Sequence, residues 1–282
     1  LSRLNYDYDD RYYIAGSYRR DGSSRLSPNN RWGNFWSVSG MWHLGNENFM
    51  KAVKPVLSDV KIRASYGVNG NQPGSYYGYK GLYSYGENYM EAAGSYESAQ
   101  PNDLLTWEKN YSLNLGIDLS FINRIFASLE YYNRDTKDLL YQKPTPATSG
   151  YTSQVCNIGS MRNKGLEFTL GANLSKGSFS WHSDFNISFI RNKLTALLDN
   201  NEILTTSSMH ALKVGEPIGS FYMIKWKGIY QSDDEIPAKI YDQGVRAGDC
   251  IYEDVDGNDV IDENDKQFVG SANPKFTGGF NN

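Results

Sequence analysis

Between residues 111 and 120 apolar and polar side chains alternate without a break, with Tyr111, Leu113, Leu115, Ile117 and Leu119 set against Ser112, Asn114, Gly116, Asp118 and Ser120. A period of two places one set on each face of an extended strand. After the link FINR the pattern resumes. Ile125, Ala127, Leu129 and Tyr131 share a face, and Ser128, Glu130 and Asn133 take polar positions. The two runs predict a hairpin closed by a tight turn. A second hairpin follows. Leu166, Phe168, Leu170, Ala172 and Leu174 oppose Gly165, Glu167, Thr169, Gly171 and Asn173, and beyond the link SKGS come Phe179, Trp181, Phe185, Ile187 and Phe189, with His182, Asp184, Asn186 and Ser188 on the other face.

Soluble sandwiches alternate in the same way, but their strands usually run about 5 to 6 residues. The runs here are longer, and strands of about 9 to 11 residues match a tilted crossing of a bilayer. The pattern therefore predicts an all-β chain, part of an antiparallel transmembrane β-barrel. Crossings are expected at residues 2–8, 11–20, 33–45, 58–68, 106–121, 124–139, 160–174 and 178–191, with a ninth starting near Lys275. If the tight links near Asp9, at FINR and at SKGS share one side, connections 21–32, 69–105, 135–160 and 191–274 lie on the other, outside the cell. Connection 46–57 is long for a periplasmic turn. The strand-like pieces YYGYKGLYSYG and SFYMIKWKGIY fall inside the long connections and need not cross. Trp107, Tyr111, Tyr131, Tyr132, Tyr141, Tyr151 and Trp181 sit near strand ends, where amphipathic rings lie at lipid headgroups or pack inside loops.

Composition agrees. The 22 tyrosines and 27 glycines favour strands and turns. No apolar run reaches the roughly 18 to 20 residues of a membrane helix, and a mean hydropathy of −0.59 is compatible with a barrel, whose inward positions are polar. The balance of 28 basic against 32 acidic residues gives no reason to expect nucleic acid. Two distant cysteines, Cys156 and Cys250, make neither a disulfide framework nor a cysteine metal site. With no start methionine and a strand-like opening at Leu1, the chain reads as a piece of a larger barrel.

One segment carries candidate metal chemistry. In DVDGNDVIDEND, residues 254–265, oxygen-bearing side chains fall at the spacing of a twelve-residue calcium loop: Asp254, Asp256, Asn258 and Asp265, with the Val260 carbonyl and Asp262 directly or through water, and Ile261 at the buried eighth position. Two departures argue against a high-affinity sensor. Asp259 stands where a glycine normally makes the sharp turn, and Asp265 replaces a longer bidentate glutamate. The expectation is a structural calcium brace in an extracellular loop, with a solvated acidic turn as the alternative. His43, His182 and His210 are scattered and none stands in a nucleophile motif, so an enzyme is not expected. GVNGNQPG lacks the strand and helix of a phosphate loop. Tyr76, Tyr77, Tyr79, Tyr83 and Tyr85 could stack on sugar rings, though packing within the loop is the plainer role.

Several blocks together resemble a known family. RYYIAGSYRRDGSSRLSPNNRWGNFWSVSGMWHLGNENF, LSDVKIRASYGVNGNQ, LTWEKNYSLNLGIDLSFINRIFASLEYYNRDTKDLLYQKPTPATSGY, NIGSMRNKGLEF, GEPIGSFY and GDCIYEDVDGNDVIDENDKQFVGSANPKFTGGFNN look like successive segments of SusC/RagA-type TonB-dependent outer-membrane transporters. The resemblance implies a bacterial outer-membrane location and a barrel of which this chain supplies part of the C-terminal half, with the plug, early strands and final strands elsewhere. It also implies TonB-driven import of an oligosaccharide or peptide under a SusD-like surface lipoprotein, with outer-membrane lipid around the barrel. A siderophore or cobalamin receptor would share the barrel. The competing class is a soluble calcium-stabilised carbohydrate-binding or adhesive β domain, supported by the aromatic content and the acidic loop and opposed by the long alternating hairpins.

Overall fold

The computed structural model describes residues 1–176, 178–198 and 203–282. Gly177 of the SKGS link and residues 199–202 of connection 191–274 lie outside the described residues. Nine strands form one antiparallel sheet in which each strand pairs with the next of the set: β1 Ser2–Tyr8, β2 Tyr12–Gly22, β3 Trp32–His43, β4 Leu57–Asn71, β5 Glu108–Phe121, β6 Ile125–Lys137, β7 Gly159–Lys176, β8 Phe179–Leu197 and β9 Phe276–Asn281. All eight expected crossings and the ninth are present. β7 and β8, at 18 and 19 residues, run past their expected ends. The pieces inside the long connections stay out of this sheet. Leu82–Tyr89 pairs with Ala92–Ala99, and Ser220–Ile224 with Lys266–Ser271.

Register shows how the alternation is used. Tyr6, Ile14, Gly40, Ala64, Leu115, Tyr131, Leu166, Phe189 and Phe276 form one row across all nine strands. Rows of the same parity above and below carry Leu4, Val38, Tyr66 and Leu113, or Tyr12, Trp42, Ile62, Ile117, Leu129, Phe168 and Ile187. This apolar face is uncovered, with Ile14 57% exposed, Leu115 43% and Phe276 60%. Exposed apolar rows repeated on nine strands do not suit a water-soluble domain, whose largest apolar patches are a few hundred Å². They suit a face turned to lipid, and the soluble carbohydrate-binding or adhesive alternative is set aside on this ground. From Tyr111 to Phe121 the band spans about 33 Å along the strand, or about 25 Å at a tilt of about 40°. That is the thickness a membrane barrel must cover.

The turns at one end are short and built for hairpins. Asp9 and Asp10 (φ 54° and 55°), and Ile122 and Asn123 (φ 45° and 52°), occupy the left-handed region as the central residues of β-turns closed by Arg11 N–H to the Tyr8 carbonyl at 3.0 Å and Arg124 N–H to the Phe121 carbonyl at 2.9 Å. The long connection at this end has its own structure. Residues Leu44–Asn46 and Asn48–Ala52 form 3₁₀ turns, and Glu47 accepts hydrogen bonds from Tyr12 Oη at 2.6 Å and Trp42 Nε1 at 3.0 Å. Those two donors hold the Glu47 carboxyl below the usual carboxylate range. The Val56 carbonyl accepts the Ile122 N–H at 2.9 Å, tying this connection to the next turn.

The chain divides into two compact units, the sheet with its connections (Leu1–Leu198 and Lys275–Asn282) and an insert between β8 and β9 (Asp199–Pro274). The insert has a small core of Tyr230, Ile236 and Ile240, with Val245, Ile251 and Ile261 against it.

Candidate functional site

The face opposite the apolar one is polar and cross-linked. Arg63 on β4 is its hub. Nε donates to Asp118 Oδ2 at 2.8 Å, and Nη2 lies 2.9 Å from Glu130 Oε2 and 3.3 Å from Asp118 Oδ1. The reach to Glu130 depends on Gly116, which sits between the two in the register. A Cβ there would come within 2.9 Å of the guanidinium carbon. Ser128 adds a hydrogen bond to Asp118 at 2.7 Å. Hydroxyls and amides continue the network: Ser17 with Ser37 at 2.7 Å, Asn114 to Ser65 at 3.2 Å, Thr136 to Asn110 at 2.6 Å and Asn192 to Asn163 at 2.6 Å. Paired and bridged charges of this kind make a stiff hydrophilic wall, as the inside of a transport barrel requires.

His43 and His182 both lie on this polar side. His43 Nε2 meets Asp59 at 2.6 Å and His182 Nε2 meets Asp184 at 2.5 Å. Asn133 does not belong to this face. It shares a face with Tyr131 and pairs with Leu113 and Lys164, because its odd position puts it one row beyond the apolar band.

At the long-connection end, three connections fold into one body. Leu26 from residues 23–31, Tyr79, Leu105 and Trp107 from residues 72–107, and Phe35 near the start of β3 form a buried cluster, with Leu140 and Val155 of residues 138–158 packed against it. Phe35 and Trp107 meet edge to face at 5.3 Å. Trp107 is therefore a core residue and does not lie at the headgroups, and Tyr79 is likewise buried. Tyr132 is on the polar face, and Tyr141 and Tyr151 are loop residues; burial pushes the Tyr141 hydroxyl up, and Tyr151 donates to Glu97 at 2.7 Å. Of the seven aromatics expected at the lipid boundary, Tyr111, Tyr131 and Trp181 face outward. Polar ties join the connections: Ser27 and Asn30 to the Asp103 carbonyl, Asn102 to the Val155 carbonyl, and Arg25 to the carbonyls of Pro73 and Gly74. Arg25 also stacks over Tyr76 at 4.2 Å. Tyr77, Tyr83 and Tyr85 stay exposed on this assembly. The sequence pattern had not singled out Arg63, Leu26, Phe35 or Leu105. Only Arg63 carried a signal, as a charge at an inward position of its strand.

In the insert, the acidic loop folds back on itself. Oxygens of Asp254, Asp256 and Asp265 lie within 4.8 Å of one another. Asp254 accepts N–H donors from Gly257 at 2.6 Å and Asp259 at 2.7 Å, and the Asp259 bond chiefly holds its carboxyl below the usual range. Asp265 is fully buried and accepts from Val255 and Asp262, both at 2.8 Å. Asp259 adopts φ 60°, the left-handed turn that a glycine usually supplies at this position. Asp262 is not among the three converging carboxylates; it caps the 3₁₀ turn Glu263–Asp265 by accepting the Asn264 N–H at 2.7 Å. Asn258 accepts from Val260 N–H at 2.6 Å and donates to Asp256 at 2.9 Å.

Comparison with known proteins agrees with this geometry. The family profile described as "TonB dependent receptor-like, beta-barrel" matches residues 2–271. "TonB-dependent receptor P3" of Formosa agariphila is 36% identical over the whole chain, and "TonB-dependent receptor SusC" of Bacteroides thetaiotaomicron is 34% identical over 94% of it. The solved structure of the RagAB peptide transporter superposes with a TM-score of 0.85 at 29% identity, covering 99% of the chain. The chain spans about 30% of the length of the first and third of these and 27% of SusC.

Proposed function

This chain belongs to the family of TonB-dependent receptor-like β-barrels, and from that premise we propose that it supplies wall and mouth to an outer-membrane importer of oligosaccharides or peptides. One observation carries the reading. A sheet with an apolar outer face and a cross-linked polar inner face bears, at its long-connection end, loops packed into one body with tyrosines left exposed. A plain diffusion channel does not need loops welded over its wall, whereas a receptor that captures cargo before import does. The long connections lie outside the cell, where a SusD-like lipoprotein closes over them. TonB acts through a plug region carried elsewhere in the full-length protein. Exposed Tyr77, Tyr83 and Tyr85 offer flat apolar faces with hydroxyl edges, suited to sugar rings or peptide side chains. The test is uptake of labelled oligosaccharides and peptides by cells with and without the full-length protein. Uptake of one class should vanish on deletion and on collapse of the proton gradient. Uptake unaffected by either overturns the reading.

The insert contributes a calcium-stabilised loop. Three carboxylates that converge through backbone hydrogen bonds, all offering oxygen, form a donor set for a hard cation. Calcium bound there would offset their mutual repulsion and pin residues 254–265. An extracellular brace needs a dissociation constant of only about 10⁻⁴ to 10⁻³ M. Millimolar calcium should protect the loop from protease in the full-length protein, and Asp254→Ala with Asp256→Ala should remove that protection. Equal cutting with calcium or chelator sinks the brace and leaves the transporter reading intact.

A further inference from the structure

The outward face changes character along one row of the register. In the row through Tyr111, strands β2 to β5 carry Tyr18, Trp36, Val68 and Tyr111. The same row continues on β6 to β8 as Asp135, Arg162 and Lys193. One row closer to the band, Leu113 is followed by Asn133, Lys164 and Arg191. One row further out, Lys109 stands opposite Lys137. All these positions share the parity of Leu115 and Leu166 and so belong to the lipid-facing side, towards the long-connection end of their strands.

Three basic residues thus stand directly opposite three others on adjacent strands: Lys109 with Lys137, Lys164 with Arg191, and Arg162 with Lys193. Like charges in directly opposed positions destabilise a sheet. Among the described residues the one carboxylate of this face beside them is Asp135, which Arg162 Nε engages at 2.6 Å. Among the described residues Lys164, Arg191 and Lys193 make no ion pair, and all three are exposed. Six cations beside one carboxylate among the described residues, spread over four neighbouring strands at the edge of an apolar band, make a basic surface suited to an anion. The phase that meets the long-connection end of the apolar band is the headgroup layer, and the anionic group there is phosphate.

We propose that this patch is a lipid site: it holds the phosphate of an anionic lipid in the leaflet at the long-connection end, with the acyl chains lying on Leu166, Phe189 and Tyr131 below it. The side chains suit the task. Arginine forks bind phosphate oxygens in pairs, lysines add mobile charge, and both stems extend along the apolar band while their heads reach the interface. A phosphate bound between β7 and β8 relieves the Lys164–Arg191 and Arg162–Lys193 pairs together, which places a fixed lipid beside that seam. The choice of leaflet rests on the reading that the long connections lie outside the cell.

The test uses the purified full-length protein in neutral detergent, titrated with bis-phosphorylated lipid A and followed by native mass spectrometry and thermal stability. Lipid A should bind and raise the melting temperature, and enzymatically dephosphorylated lipid A should bind on the order of tenfold more weakly. Lys164→Gln with Arg191→Gln should weaken lipid A binding to a similar degree, and Lys164→Arg should keep it. Lys51→Gln with Lys54→Gln, at the opposite end, should leave it unchanged. If the Gln pair hinders assembly, Lys193→Gln alone replaces it with a smaller loss. Three results overturn the proposal: equal binding of both lipid forms, equal stabilisation by inorganic phosphate alone, or variants that alter subunit association while lipid A binding stays the same. Because nutrient uptake is a separate readout, loss of this site with uptake intact leaves the transporter reading standing.

Discussion

Leu115 and Asn114 are neighbours in the chain and meet different media. Leu115 stands in the middle row of the exposed apolar band, while Asn114 is half-buried on the polar face and donates to Ser65. An arginine on the lipid face near the midplane costs about 2 to 4 kcal/mol, whereas a polar lumen solvates one. Leu115→Arg should therefore reduce the heat-modifiable, assembled form of the full-length barrel much more than Asn114→Arg, and equal losses would argue against a lipid-facing side. A second expectation at this scale concerns acid. Lys225 and Lys227, with Gln267, hold Glu253 down to about 2 from an ordinary value of 4.5. A carboxylate whose folded pKa is depressed contributes stability above its unfolded value and loses it as pH falls toward the folded one. Exchange protection of the pair Ser220–Ile224 and Lys266–Ser271 should accordingly fall between pH 4.5 and 2, and Glu253→Gln should flatten that limb. An unchanged acid profile in the variant would assign the loss to other groups.

At the scale of the element, the hairpin of β5 and β6 shows where local preference yields to topology. Both central residues of its turn take positive φ, and Asn123 suits that while Ile122, β-branched, does not. The conformation is imposed by the long ladder on either side and by the Val56 carbonyl and Ser58 hydroxyl, which receive the Ile122 and Asn123 N–H groups at 2.9 Å each. Ile122→Asn should stabilise the full-length protein by about 1 kcal/mol, read from the denaturant midpoint. No gain would mean that contacts of the Ile122 side chain offset the backbone strain. The FINR link was legible as a tight turn, but its strained residue was not, since strain arises only once the register is fixed.

For the whole molecule, the order of strands places connections 23–31, 72–107 and 138–158 at one end of the sheet and 44–56 at the other. An epitope inserted at the Met90–Glu91 turn, where both residues already have positive φ, should be labelled on intact cells. One inserted at Lys51 should be labelled only after the outer membrane is opened. The reverse pattern would invert the orientation.

The sequence by itself determined the strands, their faces and their order, because alternation with period two follows from strand geometry and a meander pairs neighbours in chain order. It also carried the spacing of the acidic loop, since the backbone bonds that fold Asp254, Asp256 and Asp265 together are local. Only the tertiary structure decided that Trp107 and Tyr79 are core residues of a loop assembly, that Arg63 reaches Glu130 across Gly116, and that six basic residues on four strands form one patch. Each of these joins residues far apart in the chain. Their meeting depends on which residues stand opposite one another in the ladder and on how loops close over the sheet, and no periodicity along a single strand contains that information.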